Sequence, residues 1–358
     1  MAEAGSSEYE PTNILVTGGA GFIGSHFVHR LVKNYPQYKV VNFDCLDYSS
    51  CVKNTVELET YANYKFVEGN ICSSDLVRHV LQTEQIDTVL HFAAQSHVDN
   101  SFGNSFAFTK TNILGTHVLL EAAYRTGVKR FVHVSTDEVY GENEGDDFHE
   151  GMVLEPTNPY SATKAAAEFI VKSYLRSFKL PVIITRGNNV YGPHQYPEKL
   201  IPKLICRLDR GMDCCIHGDG SHTRSYIYVE DVAEAFDLIL HKGKTGAIYN
   251  IGTDEEKSTL QVANDLLDIY GLNDRQKDLL HFVEDRKYND KRYAIDSSKL
   301  NALGWKPSTP WLEGLKKTVE WYKHNSLNWG KPALETALVP HPTLPTLSQA
   351  RQAFDAAH

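Results

Sequence analysis

The sequence has no excess of positive charge to offer an anionic polymer. Its 358 residues carry 36 Lys and Arg against 45 Asp and Glu, a formal net charge of −9. A general DNA or RNA binder needs a basic face for phosphates, so no nucleic-acid partner is expected. Long hydrophobic runs are also missing. None approaches the roughly 18 residues of a membrane span, so no membrane partner is expected. The opening MAEAGSSEYEPTN has acidic groups and no apolar stretch. It reads as neither a secretory signal nor a transit peptide, and residues 1–12 as a short disordered arm. The six cysteines, at 45, 51, 72, 206, 214 and 215, form no CxxC pair. Reduced thiols in a cytoplasmic protein fit that spacing, as does the lack of an Asn-x-Ser/Thr acceptor. The 16 histidines are scattered, with no His-Glu-x-x-His pair. No metal site is expected, and His97, His194 and His217 read as polar groups of a pocket or core. There is no internal repeat.

What is present is an ordinary globular composition, 42% hydrophobic and 23% charged. That is too apolar for a disordered chain and ample for a core. Short β-branched runs at Asn13–Gly18, Lys39–Asp44, Tyr64–Asn70, Thr88–Ala94, Arg130–Ser135 and Val182–Arg186 read as strands. Phe22–Asn34, Ser73–Thr83, Ser105–Thr126 and Pro159–Phe178 between them read as helices. Continuous apolar strands alternating with helices predict an α/β fold with a Rossmann-type, doubly wound parallel sheet over residues 13–186. Beyond Arg186 the pattern breaks at Gly192–Pro193 and Ile201–Pro202. Helices near Glu230–His241, Ser258–Tyr270 and Trp311–His324 and a strand at Ala247–Gly252 follow. Residues 187–324 are expected to form a smaller C-terminal substrate-binding lobe that returns some elements to the first domain. Residues 325–358 form a proline-bearing tail with a helical patch near Leu347–Ala357.

Gly18-Gly-Ala-Gly21-Phe22-Ile23-Gly24 follows a predicted strand and opens a predicted helix. Such a turn lets backbone approach a pyrophosphate, and the helix N-terminus offers N–H donors to it. Asp44 ends the second strand, 20 residues after Gly24, where an acid binds the adenosine ribose. A carboxylate there repels a 2′-phosphate, which favours NAD over NADP. Asn70 and Ile71 border the adenine region, and His91-Phe92-Ala93-Ala94 bring small residues close to the cofactor.

Tyr160-Ser-Ala-Thr-Lys164 places a phenol and an ammonium at i and i+4 on one helical face. Lys164 is expected to lower the pKa of Tyr160 by Coulomb attraction, making it a base for an alcohol. The fifth strand runs into Ser135-Thr136-Asp137-Glu138. Two adjacent carboxylates at a sheet C-terminus can divide acid and base work if their surroundings separate their pKa values.

Taken together, Gly18–Gly24, Ser96-His-Val-Asp99, Ser135–Gly141, Tyr160–Lys164, Arg186–Pro202 and Asp285–Tyr293 resemble the nucleotide-sugar 4,6-dehydratases of the extended short-chain dehydrogenase/reductase family. The likeness spans roughly Asn13 to His324. Thr136-Asp137-Glu138 separates these enzymes from the sister 4-epimerases. VDNSFGNSF, RGNNVYGP and the late NWG…PHP most resemble UDP-glucose 4,6-dehydratase domains of rhamnose biosynthesis, with the dTDP-glucose enzymes very close.

The resemblance implies an NAD-dependent lyase. Tyr160 would take the C4 hydroxyl proton, Glu138 the C5 proton, and Asp137 would protonate the leaving C6 hydroxyl, with Thr136 orienting the sugar. Asp44, Cys45, Leu46, Asp47, Asn70, Ile71, Phe92, Ala93, Ala94, Ser96 and Thr111 would line the NAD pocket with Gly18, Gly21, Phe22, Ile23, Gly24, Tyr160 and Lys164. Ser96, Thr136, Asn189, Lys199, Leu200, Cys215, His217, Thr259, Arg286 and Asn289 would meet the nucleotide sugar, and Arg224 its pyrophosphate. Asn70, Val190 and Thr259 depart from the family pattern and leave the choice between UDP and dTDP open. A homodimer through Ser105–Thr126 and Pro159–Phe178 is also implied. The competing readings are an NDP-sugar 4-epimerase and a non-catalytic NAD-binding scaffold.

Overall fold

The computed structural model of the chain describes residues 8–142, 145–285 and 290–340. Twelve strands are found among them: β1 Asn13–Thr17, β2 Lys39–Asp44, β3 Tyr64–Glu68, β4 Thr88–His91, β5 Arg130–Thr136, β6 Val182–Gly187, β7 Asn189–Tyr191, β8 Cys214–His217, β9 Thr223–Tyr228, β10 Ile248–Ile251, β11 Glu256–Ser258 and β12 Leu280–Val283. Seven of them form one sheet in the order β10-β6-β5-β4-β1-β2-β3, with every pairing parallel. Both faces are covered over β1, β2, β4, β5 and β6, which is why these strands read as largely apolar runs, while the edge strand β3 is half-exposed. In β1, Ile14 and Val16 point into one core with Phe27 and Phe236, while Leu15 points into the other with Leu120 and Val171. The strand period of two thus divides five residues between two helical layers. The Phe22–Asn34 and Val229–Lys242 helices cover the first face. The Ser74–Thr83, Thr116–Thr126 and Pro159–Phe178 helices cover the second.

The chain winds outward from β1 to β3, then crosses back to β4 on the other side of β1. Strand order reverses between β1 and β4, and a doubly wound sheet opens its ligand crevice at the C-terminal ends of such strands. The second half returns β10 and the Val229–Lys242 helix to this layer. It also builds a separate core from Tyr191, Leu204, Ile216, Leu266, Trp311 and Tyr322.

Four segments differ from expectation. The Ser105–Thr126 helix is interrupted by a π-helical turn at Thr109–Gly115, a form that recurs at functional sites. Pro202, read as a break, sits in the first turn of a Leu200–Leu208 helix. Its missing N–H has no helical partner to lose there. Residues near both limits of the described chain are docked. Tyr9, within the arm of residues 1–12 expected to be disordered, is held in place: its backbone N–H donates to the His241 carbonyl at 2.9 Å and Arg130 lies 4.0 Å above its ring. In the tail, the Lys331–Ala337 helix buries Leu334 and Ala337. The Leu347–Ala357 patch lies outside the described residues.

Candidate active site

One continuous cleft crosses the C-terminal edge of the sheet, from the Gly18–Gly24 turn past the end of β5 to β8 and β9. At its first end Gly18 has φ +72°, and a Cβ there would lie 2.6 Å from the Ala93 nitrogen. Only glycine allows the backbone to turn so close to β4. The Phe22–Asn34 helix begins at this turn with no side-chain cap and no acid in its first turn. Its N–H groups and its dipole are therefore available to an anion, as a pyrophosphate requires. The Asp44 carboxyl, 4% exposed, accepts from Ala20 N at 3.0 Å, Leu46 N at 2.8 Å and Ser50 Oγ at 3.0 Å. Burial pushes its pKa up and these bonds pull it back. The residues present fit a dinucleotide whose adenosine ribose is unphosphorylated.

Of the expected cofactor contacts, all but Leu46 line this cleft. Leu46 reverses the chain after β2 with φ +53° and serves through its N–H on Asp44, not through its side chain. The π-helical turn presents Thr111 to the cleft. The Asn112 amide there bridges Gln95 N, Gln95 O and Thr163 Oγ1, tying the turn to the Pro159–Phe178 helix.

The chemical residues converge at the end of β5. Thr136 Oγ1 caps the Asp137–Tyr140 turn by accepting from Glu138 N at 3.3 Å. Asn158 caps the Pro159–Phe178 helix, its Oδ1 accepting from Ser161 N at 2.9 Å, with Pro159 at the position that favours it. The Asn158 Nδ2 then donates to Glu138 Oε2 at 3.1 Å. Tyr160 follows on that helix and lines the cleft with Thr136 and Glu138. Lys164, one turn on, donates from Nζ to the Val134 carbonyl at 2.6 Å. Burial lowers its pKa to about 8, partly offset by Glu168.

Two expectations are corrected here. Lys164 does not lower the Tyr160 phenol: that pKa is held well above the usual value, first by burial and then by Glu138, with a Thr136 hydrogen bond opposing. The charges that act on the phenol are the carboxylates of Glu138 and Asp137, and both raise its pKa. Asp137 does not line the cleft. It is 2% exposed, one layer behind Thr136 and Asn188. Burial, and then the charge of Glu138, push its pKa up to about 7. A carboxyl so placed holds a proton near neutrality and can release it, the property a general acid needs.

At the far end, Asn189, Lys199, Leu200, Cys215, His217, Arg224 and Thr259 line the cleft with Ser96. Lys199 Nζ donates to the Ser96 carbonyl at 2.8 Å, and Arg224 stacks 4.7 Å over the Tyr293 ring. Arg286 and Asn289 lie outside the described residues. Sequence reasoning missed Asn158 and Asn188, which hold the two acids, and Glu198, whose buried carboxyl accepts from the Tyr48 hydroxyl at 3.0 Å. The Asn188-Asn189 doublet at the end of β6 was the available signal for one of them.

A family model described as GDP-mannose 4,6 dehydratase matches residues 15–318. A trifunctional UDP-glucose 4,6-dehydratase/UDP-4-keto-6-deoxy-D-glucose 3,5-epimerase/UDP-4-keto-L-rhamnose-reductase of Arabidopsis thaliana is 56% identical over 340 residues, covering 94% of this chain and 51% of its own length. The chain thus spans about half the length of that relative. The dTDP-D-glucose 4,6-dehydratase of Bos taurus is 50% identical over 335 residues, 93% of this chain and 94% of that one. The dTDP-glucose 4,6-dehydratase of Streptomyces venezuelae, solved with NAD bound, superposes with a TM-score of 0.86 at 39% identity, covering 90% of this chain and 100% of that one. With its model matched along most of its length, the chain belongs to the GDP-mannose 4,6 dehydratase family.

Proposed function

We propose that the chain is an NAD-dependent nucleotide-sugar 4,6-dehydratase that converts UDP-glucose or dTDP-glucose to the 4-keto-6-deoxy sugar. The observation that carries this reading is the convergence of Tyr160, Thr136, Glu138 and the recessed Asp137 at one strand end. An epimerase needs the phenol but has no use for two further acids. The glycine turn, the N-terminus of the Phe22–Asn34 helix, Asp44 and Lys164 would hold NAD, which would supply the hydride acceptor for C4 and the hydride donor for C6 without net consumption.

The protein's own groups move the protons. Tyr160, in the phenolate form that the Thr136 hydrogen bond favours against burial and Glu138, takes the C4 hydroxyl proton. The resulting ketone acidifies C5, and the Glu138 carboxylate, steadied by Asn158, removes that proton. Asp137, still partly protonated near neutrality, supplies through the Thr136 hydroxyl between it and the cleft the proton with which the C6 hydroxyl leaves as water. Glu138 then returns a proton to C5 as C6 becomes a methyl carbon. Each such transfer is worth about 10²–10⁴ in rate.

Arg224 and Lys199 suit the diphosphate, since guanidinium and ammonium grip phosphate oxygens. Similarity to both UDP- and dTDP-glucose enzymes supports either base, and the plant relative favours UDP in rhamnose biosynthesis. Exposed Phe106, Leu114 and Phe169 on the paired helices support a homodimer, and the cytoplasm is the proposed location. Incubation with UDP-glucose and dTDP-glucose under mass detection tests the activity. Loss of one water is expected; unchanged mass with inverted C4, or no turnover, overturns the reading.

A further inference from the structure

Asn188 ends at a place where its two amide atoms cannot exchange. Its Oδ1 accepts from the Thr253 N–H at 3.2 Å. Gly252 leaves the room for that oxygen, since a Cβ on Gly252 would fall on it. A backbone N–H cannot accept, so the NH₂ must face the other way, and it donates from Nδ2 to Asp137 Oδ2 at 2.7 Å. The residue is 5% exposed and its own backbone N–H is bonded to the Ile251 carbonyl at 3.0 Å. Asp137 therefore meets a fixed donor at one oxygen. Its other oxygen, Oδ1, lies 3.2 Å from Thr136 Oγ1, and that hydroxyl is also hydrogen-bonded to the Tyr160 phenol.

We infer that Asn188 is a positioning residue that confines the transferable proton of Asp137 to Oδ1, the oxygen beside Thr136. A proton on Oδ2 would confront the Asn188 N–H, whereas one on Oδ1 finds an acceptor in Thr136 Oγ1. The consequence runs one bond further. With Asp137 ionised, Thr136 donates its proton to Oδ1. With Asp137 protonated, Oδ1–H donates to Thr136, which also accepts from Glu138 N–H and turns its own proton to Tyr160. A Thr136 donor stabilises the phenolate. The chain Asn188–Asp137–Thr136–Tyr160 thus ties a loaded acid to an unloaded base, the pair of states in which the dehydration must start. No atom is lost or gained in this exchange; the hydroxyl of Thr136 only reorients.

The inference rests on the dehydratase reading for its meaning, but its test does not need turnover. The charged and titratable groups facing Asp137 are Glu138 on its own turn, Tyr160 from the Pro159–Phe178 helix and Arg224 from β9. Two variants separate Asn188 from these. With aspartate carboxyls labelled with carbon-13 and the Asp137 resonance assigned by Asp137→Asn, Asn188→Ala should raise its titration midpoint by about one pH unit, the effect of losing one hydrogen bond to a carboxylate. In dehydration assays the alkaline limb of the kcat profile should move up by the same amount, with KM changed less than about two-fold. Asn188→Asp, which replaces the donor by an acceptor and draws the proton to Oδ2, should lower kcat by about 100-fold while C4 oxidation persists and absorbance of reduced nicotinamide accumulates. An unmoved Asp137 midpoint in Asn188→Ala overturns the inference, as does a loss of kcat with an unmoved alkaline limb. If the parent chain dehydrates no sugar, the dehydratase reading falls while the carbon-13 titration still decides the role of Asn188.

Discussion

Asp44 and Asp137 are the same residue type in nearly the same setting. Each stands at the C-terminal end of a parallel strand or just past it, and they are 4% and 2% exposed. Their chemistry differs because their donors differ. Asp44 collects two backbone N–H groups and a serine hydroxyl, which use both its oxygens. Asp137 receives one amide and one threonine hydroxyl and has the Glu138 carboxyl beside it. Burial opposes charge in both; at Asp137 the Glu138 charge adds to that opposition, and at each carboxyl the donors answer part of it. One end of the cleft has made a carboxyl whose two oxygens are both fixed by donors, suited to holding a ribose. The other has made an acid with a pKa of about 7, suited to giving a proton away.

The comparison breaks most visibly at the chemical end. Glu138→Gln, which cannot accept the C5 proton, should lower the dehydration rate by about 10³-fold and leave C4 oxidation working. Stopped-flow absorbance at the reduced nicotinamide band, run beside mass detection, distinguishes the two steps. Tyr160→Phe should lose both together. Asp137→Asn should cost about 10²-fold in kcat with NAD affinity unchanged, by equilibrium dialysis. Dehydration by Glu138→Gln at the parental rate removes the role given to that carboxylate.

Asp44→Asn should do the reverse. An amide offers a single oxygen, so either Ala20 N or the Leu46–Ser50 pair would face an NH₂. Leaving a buried donor unmet costs about 1–3 kcal/mol, and NAD affinity should fall at least about ten-fold. At saturating NAD, kcat should remain within a few-fold of the parent. Equal losses of kcat in Asp44→Asn and Asp137→Asn would show that the two carboxyls do not divide their work.

Titration distinguishes them without any substrate. An aspartate has a pKa of about 3.9 in an unfolded chain, and Asp137 has about 7 when folded. The folded state therefore holds this proton more tightly. That contribution is intact below about pH 4 and is lost as pH rises to 7, after which it is constant. Urea unfolding of the parent and of Asp137→Asn should diverge across this window, with the parent losing on the order of a few kcal/mol relative to the variant. The dehydration rate should fall as pH climbs through the same upper midpoint. A difference that stays flat between pH 4 and 7 means that Asp137 is ionised throughout.

These residues also mark how far the sequence could be read. Strands β1, β2, β4, β5 and β6 read as largely apolar runs because both faces of the sheet are covered there, and the Phe22–Asn34 and Pro159–Phe178 helices run between the expected residues. Strands β7, β8, β11 and β12 are three or four residues long, too short for a period to show. Within the site, Asp44, Thr136, Asp137, Glu138 and Tyr160 stand on strand ends and one helical face, where local order predicts their place. Asn158 and Asn188 do not announce themselves, since asparagine ordinarily signals a cap or a turn. The role of Asn188 depends on Thr253, 65 residues away. The effect of Lys164 on Tyr160 was misjudged for a similar reason. Helical spacing puts both on one face but says nothing of the burial and the Glu138 carboxylate that set the phenol's pKa.

The smallest effect is the sharpest probe of the donor argument. Ser50→Ala removes one of the three donors to Asp44 and leaves Ala20 N and Leu46 N in place. Ser50 also lines the cleft, at its adenosine end and away from the carboxyl pair. A hydrogen bond to a charged group is worth about 1.5–3 kcal/mol, but Leu46 N still serves the same oxygen and water can reach the vacated position. The expected loss is therefore at the lower edge of that range or below it, a fall in NAD affinity of about three- to ten-fold with no change in the pH profile of kcat. Isothermal titration of NAD and a pH–rate series measure both on one preparation. A shifted pH profile in Ser50→Ala would mean that the two ends of the cleft are electrostatically coupled, and the division drawn between Asp44 and Asp137 would fail.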